Sequence, residues 1–357
     1  MRLFGMIKVI GLSQQEEWDS IVRSFRNYDV YYLSSYVRPF WLHGDGDPCL
    51  LFAEGSSWRA IYVYMKRKTF VEGVYDAITP YGYGGVLFDG DYTQEDVKSF
   101  WDSFNLKMKE EGIIDNFVRY HPVLNNAPLA RDFTPVIDLG KTIAIDLSSP
   151  EDIWNNMTSK KRGKIRKAEK NGIEIHHGQG IELFREFMPI YNATMEKDDA
   201  TDYYFFEMPF YEAIHEGLKD NYEMFYATLD EKIIMMAIML YCNGQMHYHL
   251  SGSLLEYRNL EPNNLLLYKA ALWGYEHGLK TLHLGGGVGS SEDALYTFKA
   301  GFNRSSDYQF SIGKQIIDFD KYNDLVRMKI EKDPQFDATS SFFPLYRSEK
   351  HIMPNAE

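Results

Sequence analysis

Apolar residues recur along this chain in short β-branched and aromatic runs, and helically spaced stretches separate them. Ile61-Tyr62-Val63-Tyr64-Met65 has the composition of a strand. Thr93 can cap a helix through Asp96, with Val97, Phe100, Trp101, Phe104 and Met108 on its apolar stripe and Gly112 as its stop. Ile113–Tyr120 then has strand character, and helix followed by strand is an α/β signature.

Thr142–Leu147 predicts another strand, and Ser149-Pro150-Glu151-Asp152 supplies the cap and first turn of a long helix running to Gly172. Trp154, Met157, Ile165 and Ala168 form its apolar face. Helices near 181–196 and 206–219 follow. The strand-like runs 224–229, 233–241 and 246–250 are joined by short turns, which predicts an antiparallel meander. Pro262–His277 has helical spacing, and Thr281–Leu284 a strand pattern. The run Gly285-Gly286-Gly287-Val288-Gly289 leads to a last short helix with Leu295, Phe298 and Lys299. A domain boundary is expected near residue 147, and the tail after Ile330 is expected to be peripheral.

At 357 residues the chain has room for about two domains, and 45% hydrophobic with 25% charged residues is a globular composition. Net charge −13 argues against a surface wrapped in nucleic acid unless the basic residues cluster. Cys49 and Cys242 are the two cysteines, without metal-type spacing, which fits a reducing cytoplasm. No secretory leader pattern and no run of 18 apolar residues is present, so no stable membrane insertion is expected.

Seven basic residues crowd positions 160–170: Lys160, Lys161, Arg162, Lys164, Arg166, Lys167 and Lys170. Such a face suits phosphates, although charge runs are usually solvated surface. The glycine run offers backbone N–H groups near a helix start, suited to an anion or a developing oxyanion. It lacks the lysine of a nucleotide-hydrolase loop and the spacing of a dinucleotide fold. His247 and His249 alternate along one strand, but no cysteine or carboxylate completes a metal-ligand spacing, so no metal is expected. No nucleophile elbow occurs. Thr79-Pro80-Tyr81-Gly82-Tyr83-Gly84-Gly85 is a turn that presents two aromatic rings.

Trp154–Asn171, Tyr191–Met195, Tyr248–Ser253 and, most specifically, Leu284-Gly285-Gly286-Gly287 followed by Phe298-Lys299-Ala300-Gly301-Phe302 resemble the FemAB-like proteins of the GNAT acyltransferase superfamily. Thr79–Gly85 and Arg119-Tyr120-His121-Pro122 look like pieces of that group's first domain. The resemblance implies an α/β (α+β) fold of two tandem GNAT-like domains, each a mixed, largely antiparallel sheet flanked by helices. Residues 1–146 and 147–313 would form the domains, and 314–357 a segment returning to the first. It further implies acyl or aminoacyl transfer to an amine of a cell-wall or envelope precursor, without a cofactor. Lys299 and Phe298 match the family's F-K pair, whose lysine lies near the reacting carbonyl.

The chemistry is consistent with that. An amine attacking an ester or thioester generates an oxyanion, and one well-placed donor stabilises it by roughly 3–4 kcal/mol. Tyr81, Tyr83, Arg119, Tyr248 and Arg258, with Lys160, Lys161 and Lys164 of the basic run, are the candidate substrate-binding residues. Glu196, Tyr248 and His249 are candidate bases. The donor is expected to be aminoacyl-tRNA or a larger acyl thioester. Tyr257–Asn264, where coenzyme A enzymes hold a pyrophosphate, has no glycine and carries Glu261 and Pro262. The alternatives are an acyl-CoA-dependent N-acyltransferase and a non-catalytic module binding a glycan or nucleotide-sugar.

Overall fold

The computed structural model describes residues 6–348. Its strands are β1 (Ile7–Gly11), β2 (Asp47–Glu54), β3 (Trp58–Lys68), β4 (Tyr75–Ile78), β5 (Leu87–Gly90), β6 (Ile113–Arg119), β7 (Val136–Asp146), β8 (Glu174–Gly178), β9 (Tyr222–Leu229), β10 (Lys232–Cys242), β11 (Gln245–Ser253), β12 (Thr281–Gly285) and β13 (Tyr308–Ile316). The helices are α1 (Gln15–Arg23), α2 (Ser34–His43), α3 (Gln94–Glu110), α4 (Pro150–Asn155), α5 (Ser159–Lys170), α6 (Ile181–Lys197), α7 (Met208–Gly217), α8 (Pro262–Glu276), α9 (Ala294–Ala300) and α10 (Phe319–Lys332).

The strands form one continuous sheet in the order β1-β2-β3-β4-β6-β13-β7-β12-β11-β10-β9-β8, with β5 beside β3. Two of its pairings are parallel, β4 with β6 and β11 with β12. The long strand β7 joins the halves, because residues 136–142 pair with β13 and residues 143–146 pair with β12. Helices cover the sheet on both sides of this seam, so the fold is the mixed, largely antiparallel α/β arrangement that the sequence implied.

Local signals formed where the pattern was strongest. Thr93 and Asp96 make a reciprocal capping box at the start of α3. The meander is β9-β10-β11. The single long helix expected from Ser149 to Gly172 is instead two. Thr158 caps α5 through the Lys161 N–H, and its own N–H donates to the Gly301 carbonyl at 2.9 Å. That bond to the end of α9 holds the chain out of helical geometry between Asn155 and Ser159.

A large core belongs to both halves, with Trp18, Tyr36 and Phe40 of α1 and α2 buried together with Phe184, Phe187 and Phe210 of α6 and α7. The segment after β13 packs on the first half. Tyr322, Leu325 and Tyr346 are buried with Ile114, and the Tyr346 hydroxyl donates to Asp115 at 2.6 Å.

Candidate functional site

The aromatic turn between β4 and β5 is pinned from three sides. The Gly84 N–H donates to the Arg119 carbonyl, the Tyr36 hydroxyl to the Tyr81 carbonyl at 2.6 Å, and the Tyr32 hydroxyl to the Gly85 carbonyl at 3.0 Å. Gly82 has φ +86°, and a Cβ there would stand 2.4 Å from the Tyr31 ring, so only glycine lets the turn lie against that ring. The result is a fixed platform from which Tyr81 and Tyr83 face a cavity of about 1030 Å³ beside Arg119.

Lys299 reaches the same cavity from α9. It is 9% exposed, and its ammonium donates to the Gly286 carbonyl at 2.7 Å. Burial pushes its pKa down to about 8, with Asp293 acting in the opposite sense. Gly285 has φ +77°, and the position a Cβ would occupy lies 3.5 Å from Lys299 Nζ and 3.7 Å from the Tyr83 hydroxyl. The open space above Gly285 therefore has a cation and a phenol at its edge. The glycine run is not the free anion cradle its composition predicted. Asp293 accepts from the Val288 and Tyr296 N–H groups, so its carboxylate fills the start of α9.

A second cavity of about 370 Å³ lies on the other side of Lys299. Its origin is in the sheet. The parallel pairing of β11 with β12 stops at His247 and His283, and beyond that point the strands separate. Opposite, Ile238 pairs with Leu250 and Met239 with Tyr248, so His249 is an extra residue in a β-bulge. The bulge turns both Tyr248 and His249 toward the opening, and both line the two cavities. Arg258, Asn263 and Phe298 line the smaller one.

Behind the larger cavity lies a buried polar cluster. Asp29 Oδ2 is bonded to His121 Nε2 at 2.8 Å and to His247 Nε2 at 2.7 Å. His121 Nδ1 accepts from the Leu124 N–H at 3.1 Å, which places the His121 proton on Nε2. The trio has the composition of a metal site, but its atoms stand at hydrogen-bond distance. Ligands around a tetrahedral zinc at about 2.0 Å would be roughly 3.3 Å apart. His283 completes the wall and bonds Thr142 Oγ1 at 2.9 Å.

Residues 155–300 match the family described as "Acetyltransferase (GNAT) domain". UDP-N-acetylmuramoylpentapeptide-lysine N(6)-alanyltransferase of Weissella viridescens is 23% identical over 235 residues, 64% of this chain and 66% of that protein. The chain therefore spans just under two thirds of that curated relative. The crystal structure of FemX superposes with TM-score 0.66 at 16% identity, over 88% of this chain and 99% of FemX. This chain is similar in sequence and fold to the FemAB-like proteins of the GNAT superfamily. A tandem GNAT protein from the clavulanic acid biosynthesis pathway shares the fold at TM-score 0.50 and 8% identity, over 87% of this chain and 99% of that one.

Tyr81, Tyr83, Arg119, Tyr248 and Lys299 line the larger cavity, and Arg258, Phe298 and Lys299 line the smaller. Lys160, Lys161 and Lys164 line neither. Lys161 is 5% exposed, donates to Asn264 Oδ1 at 2.8 Å, and lies 3.8 Å from the Phe298 ring centre. Lys164 pairs with Glu261 at 3.1 Å, and Lys167 donates to the Asn259 carbonyl at 2.6 Å. Three of the seven basic residues thus tie α5 to the start of α8 and the turn before it.

Of the candidate bases, Glu196 is exposed and lines neither cavity. The Tyr248 hydroxyl donates to Ser251 at 2.6 Å. Burial and His247 push His249 down to about 3. Sequence reasoning missed Asp29, Arg67, His283, Tyr203, Tyr204 and Arg347. They are scattered from residue 29 to 347, and no spacing connects them.

Proposed function

We propose that this protein forms an amide by transferring an aminoacyl group to an amine of a cell-envelope precursor. The acceptor occupies the larger cavity and the acyl carbonyl approaches through the smaller. The observation that carries this reading is that, among the described residues, Lys299 is the one cation lining both cavities. The amine attacks the carbonyl carbon, the carbonyl electron pair moves to oxygen, and the Lys299 ammonium stabilises that oxyanion. Phe298, stacked over the Lys161 amine, fixes the end of α9 from which Lys299 projects.

The cationic wall of the larger cavity supports a phosphate-bearing acceptor. Arg67 and Arg347 both pair with Asp76, and the Lys314 ammonium donates to the Ser341 carbonyl. Arg119 lines the cavity with no carboxylate partner among the described residues, and burial lowers its pKa. A UDP-linked muropeptide, the substrate in the name of the Weissella relative, meets those requirements.

Aminoacyl-tRNA is the leading donor and a larger acyl thioester the second. Incubation with charged tRNA and UDP-linked muropeptides, followed by mass spectrometry, tests the reading. An increment of one aminoacyl residue on the acceptor is expected. Saturable acceptor binding without product from any donor overturns the reading in favour of a non-catalytic binding module.

A further inference from the structure

The floor of the larger cavity is one face of the sheet. Phe117 and Arg119 of β6 stand opposite Lys314 and Ile312 of β13. Residues directly opposed in an antiparallel pair share a face, as do residues two apart on a strand. That face therefore carries two cations, Arg119 and Lys314, whose Cα atoms are offset by roughly 5 Å across and roughly 7 Å along the strands. Their surroundings differ.

At the Lys314 end, beneath the C-terminal segment, Lys314, Arg67 and Arg347 stand against the Asp76 carboxylate. The Ser341 carbonyl that accepts from Lys314 at 2.6 Å brings no charge to neutralise it. Asp115, raised to about 8 by burial and by Asp76, adds little negative charge at neutral pH. Three cations facing one carboxylate suit a diphosphate.

At the other end a single guanidinium faces phenols. Among the described residues the Arg119 side chain makes no hydrogen bond and no ion pair, and it rests 5.2 Å from the Phe117 ring centre. The hydroxyls of Tyr81, Tyr83 and Tyr204, which line the same cavity, are equally unpaired among the described residues. Tyr203 closes this chamber from the second half of the chain, with its hydroxyl donating to Asp45 Oδ2 and its carbonyl accepting from His43 Nε2, both at 2.8 Å. Asp45, the one carboxylate lining the cavity among the described residues, is thus already engaged. A chamber of donors around one desolvated cation, whose pKa burial lowers, lacks an anion. A carboxylate supplies one negative charge and two oxygens matched to the guanidinium fork. A doubly charged phosphate would leave negative charge unbalanced beside Asp45.

We propose that the chamber around Arg119 binds a free carboxylate of the acceptor's peptide, while the acceptor's phosphates lie at the Lys314 end; this subsite rests on the acceptor reading above. It selects acceptors whose peptide carboxylate is unmodified.

Calorimetric titration of the full-length protein with three ligands tests this: a UDP-linked muropeptide with free peptide carboxylates, the same molecule with each peptide carboxylate converted to a primary amide, and UDP. The unmutated protein should bind the amidated acceptor on the order of 10- to 100-fold more weakly, the effect of removing a charged partner. Arg119→Gln should weaken the carboxylate form by a similar factor and leave the amidated form and UDP nearly unchanged, because both changes remove one shared contact. Arg119→Lys keeps the charge without the fork and should fall between.

Equal affinity of the unmutated protein for the two acceptors overturns the subsite whether or not any variant folds. Equal losses with both acceptors in Arg119→Gln overturn it too, and so does a loss of UDP affinity, which would assign Arg119 to phosphate. An unmutated protein that binds neither acceptor overturns the acceptor reading, and the subsite with it. The expected discrimination without product from any donor overturns the transfer reading and upholds the subsite.

Discussion

Lys299 and Tyr83, carried by elements more than two hundred residues apart, meet above the bare Cα of Gly285, with Nζ and the hydroxyl oxygen 3.5 and 3.7 Å from the point a methyl would take. Among the described residues the ammonium has one hydrogen-bond acceptor, the Gly286 carbonyl. Lys299→Ala is therefore expected to lower kcat by about 10²–10³-fold, the effect of one oxyanion donor. Calorimetry should find the melting temperature nearly unchanged, because the lost hydrogen bond is offset by removal of a buried charge. Full activity would remove Lys299 from the chemistry.

Gly285→Ala should be worse than its size implies. The alanine is strained at φ +77°, and its methyl occupies the reaction space. Loss of transfer together with a lower melting temperature is expected. Wild-type kinetics with unchanged KM would show that the space above Gly285 is not where the reacting carbonyl lies.

The charge state of Lys299 predicts an alkaline limb. Its pKa is pushed down to about 8 by burial, so the ammonium is present below that pH and lost above it. The transfer rate should fall tenfold per pH unit well above 8, and Lys299→Arg should shift that limb upward out of the measurable range. A rate that is flat from pH 7 to 10 would contradict an ammonium role.

Coenzyme A should bind weakly or not at all. The start of α8 is closed by the chain's own side chains: Glu261 pairs with Lys164, Asn264 Nδ2 donates to Glu261 at 2.8 Å, and the Lys161 amine donates to Asn264. A pyrophosphate would have to displace a carboxylate at the position where the helix dipole favours negative charge. Calorimetric titration with coenzyme A and acetyl-CoA checks this, and micromolar affinity would make acyl-CoA the better donor.

The returning C-terminal segment should loosen as pH rises toward 8. Burial, with Asp76 beside it, raises the Asp115 carboxyl to about 8. Because the folded pKa lies above the unfolded one, its contribution is fully present below about pH 4 and is lost progressively as pH rises to about 8, where the loss is complete. Hydrogen exchange over Phe319–Arg347 should accelerate between about pH 5 and 8 beyond the intrinsic rate change and show no further excess above about 8. Asp115→Asn should abolish that excess, and an excess unaffected by the substitution would assign it elsewhere.

Local pattern made much of this molecule legible. Thr93 with Asp96 and the meander strands were readable because each signal lies within a few residues, whereas Gly285-Gly286-Gly287 and Phe298-Lys299 were singled out together by the resemblance to a known family. The roles of the lysines between 160 and 170 were not. A helix dense in charge looks the same in sequence whether it faces solvent or packs on α8, and only the tertiary contact of Lys161 with Asn264 and Phe298 distinguishes the two.

The sequence by itself determined most of the elements, since hydrophobic period, capping residues and glycine stops act over short range, while the kinship of the fold and the choice of Lys299 rested on the resemblance of the Leu284–Gly287 and Phe298–Phe302 motifs. Only the tertiary structure decided that β13 returns between β6 and β7, that α5 is bound internally, and that Asp29, His121, His247 and His283 share one buried network. Those relations join residues up to 254 positions apart (29 to 283), and they arise from strand order and the splay of β11 from β12. Neither leaves a periodic trace in the chain, because strand order is chosen by the whole packed sheet and not by any one segment.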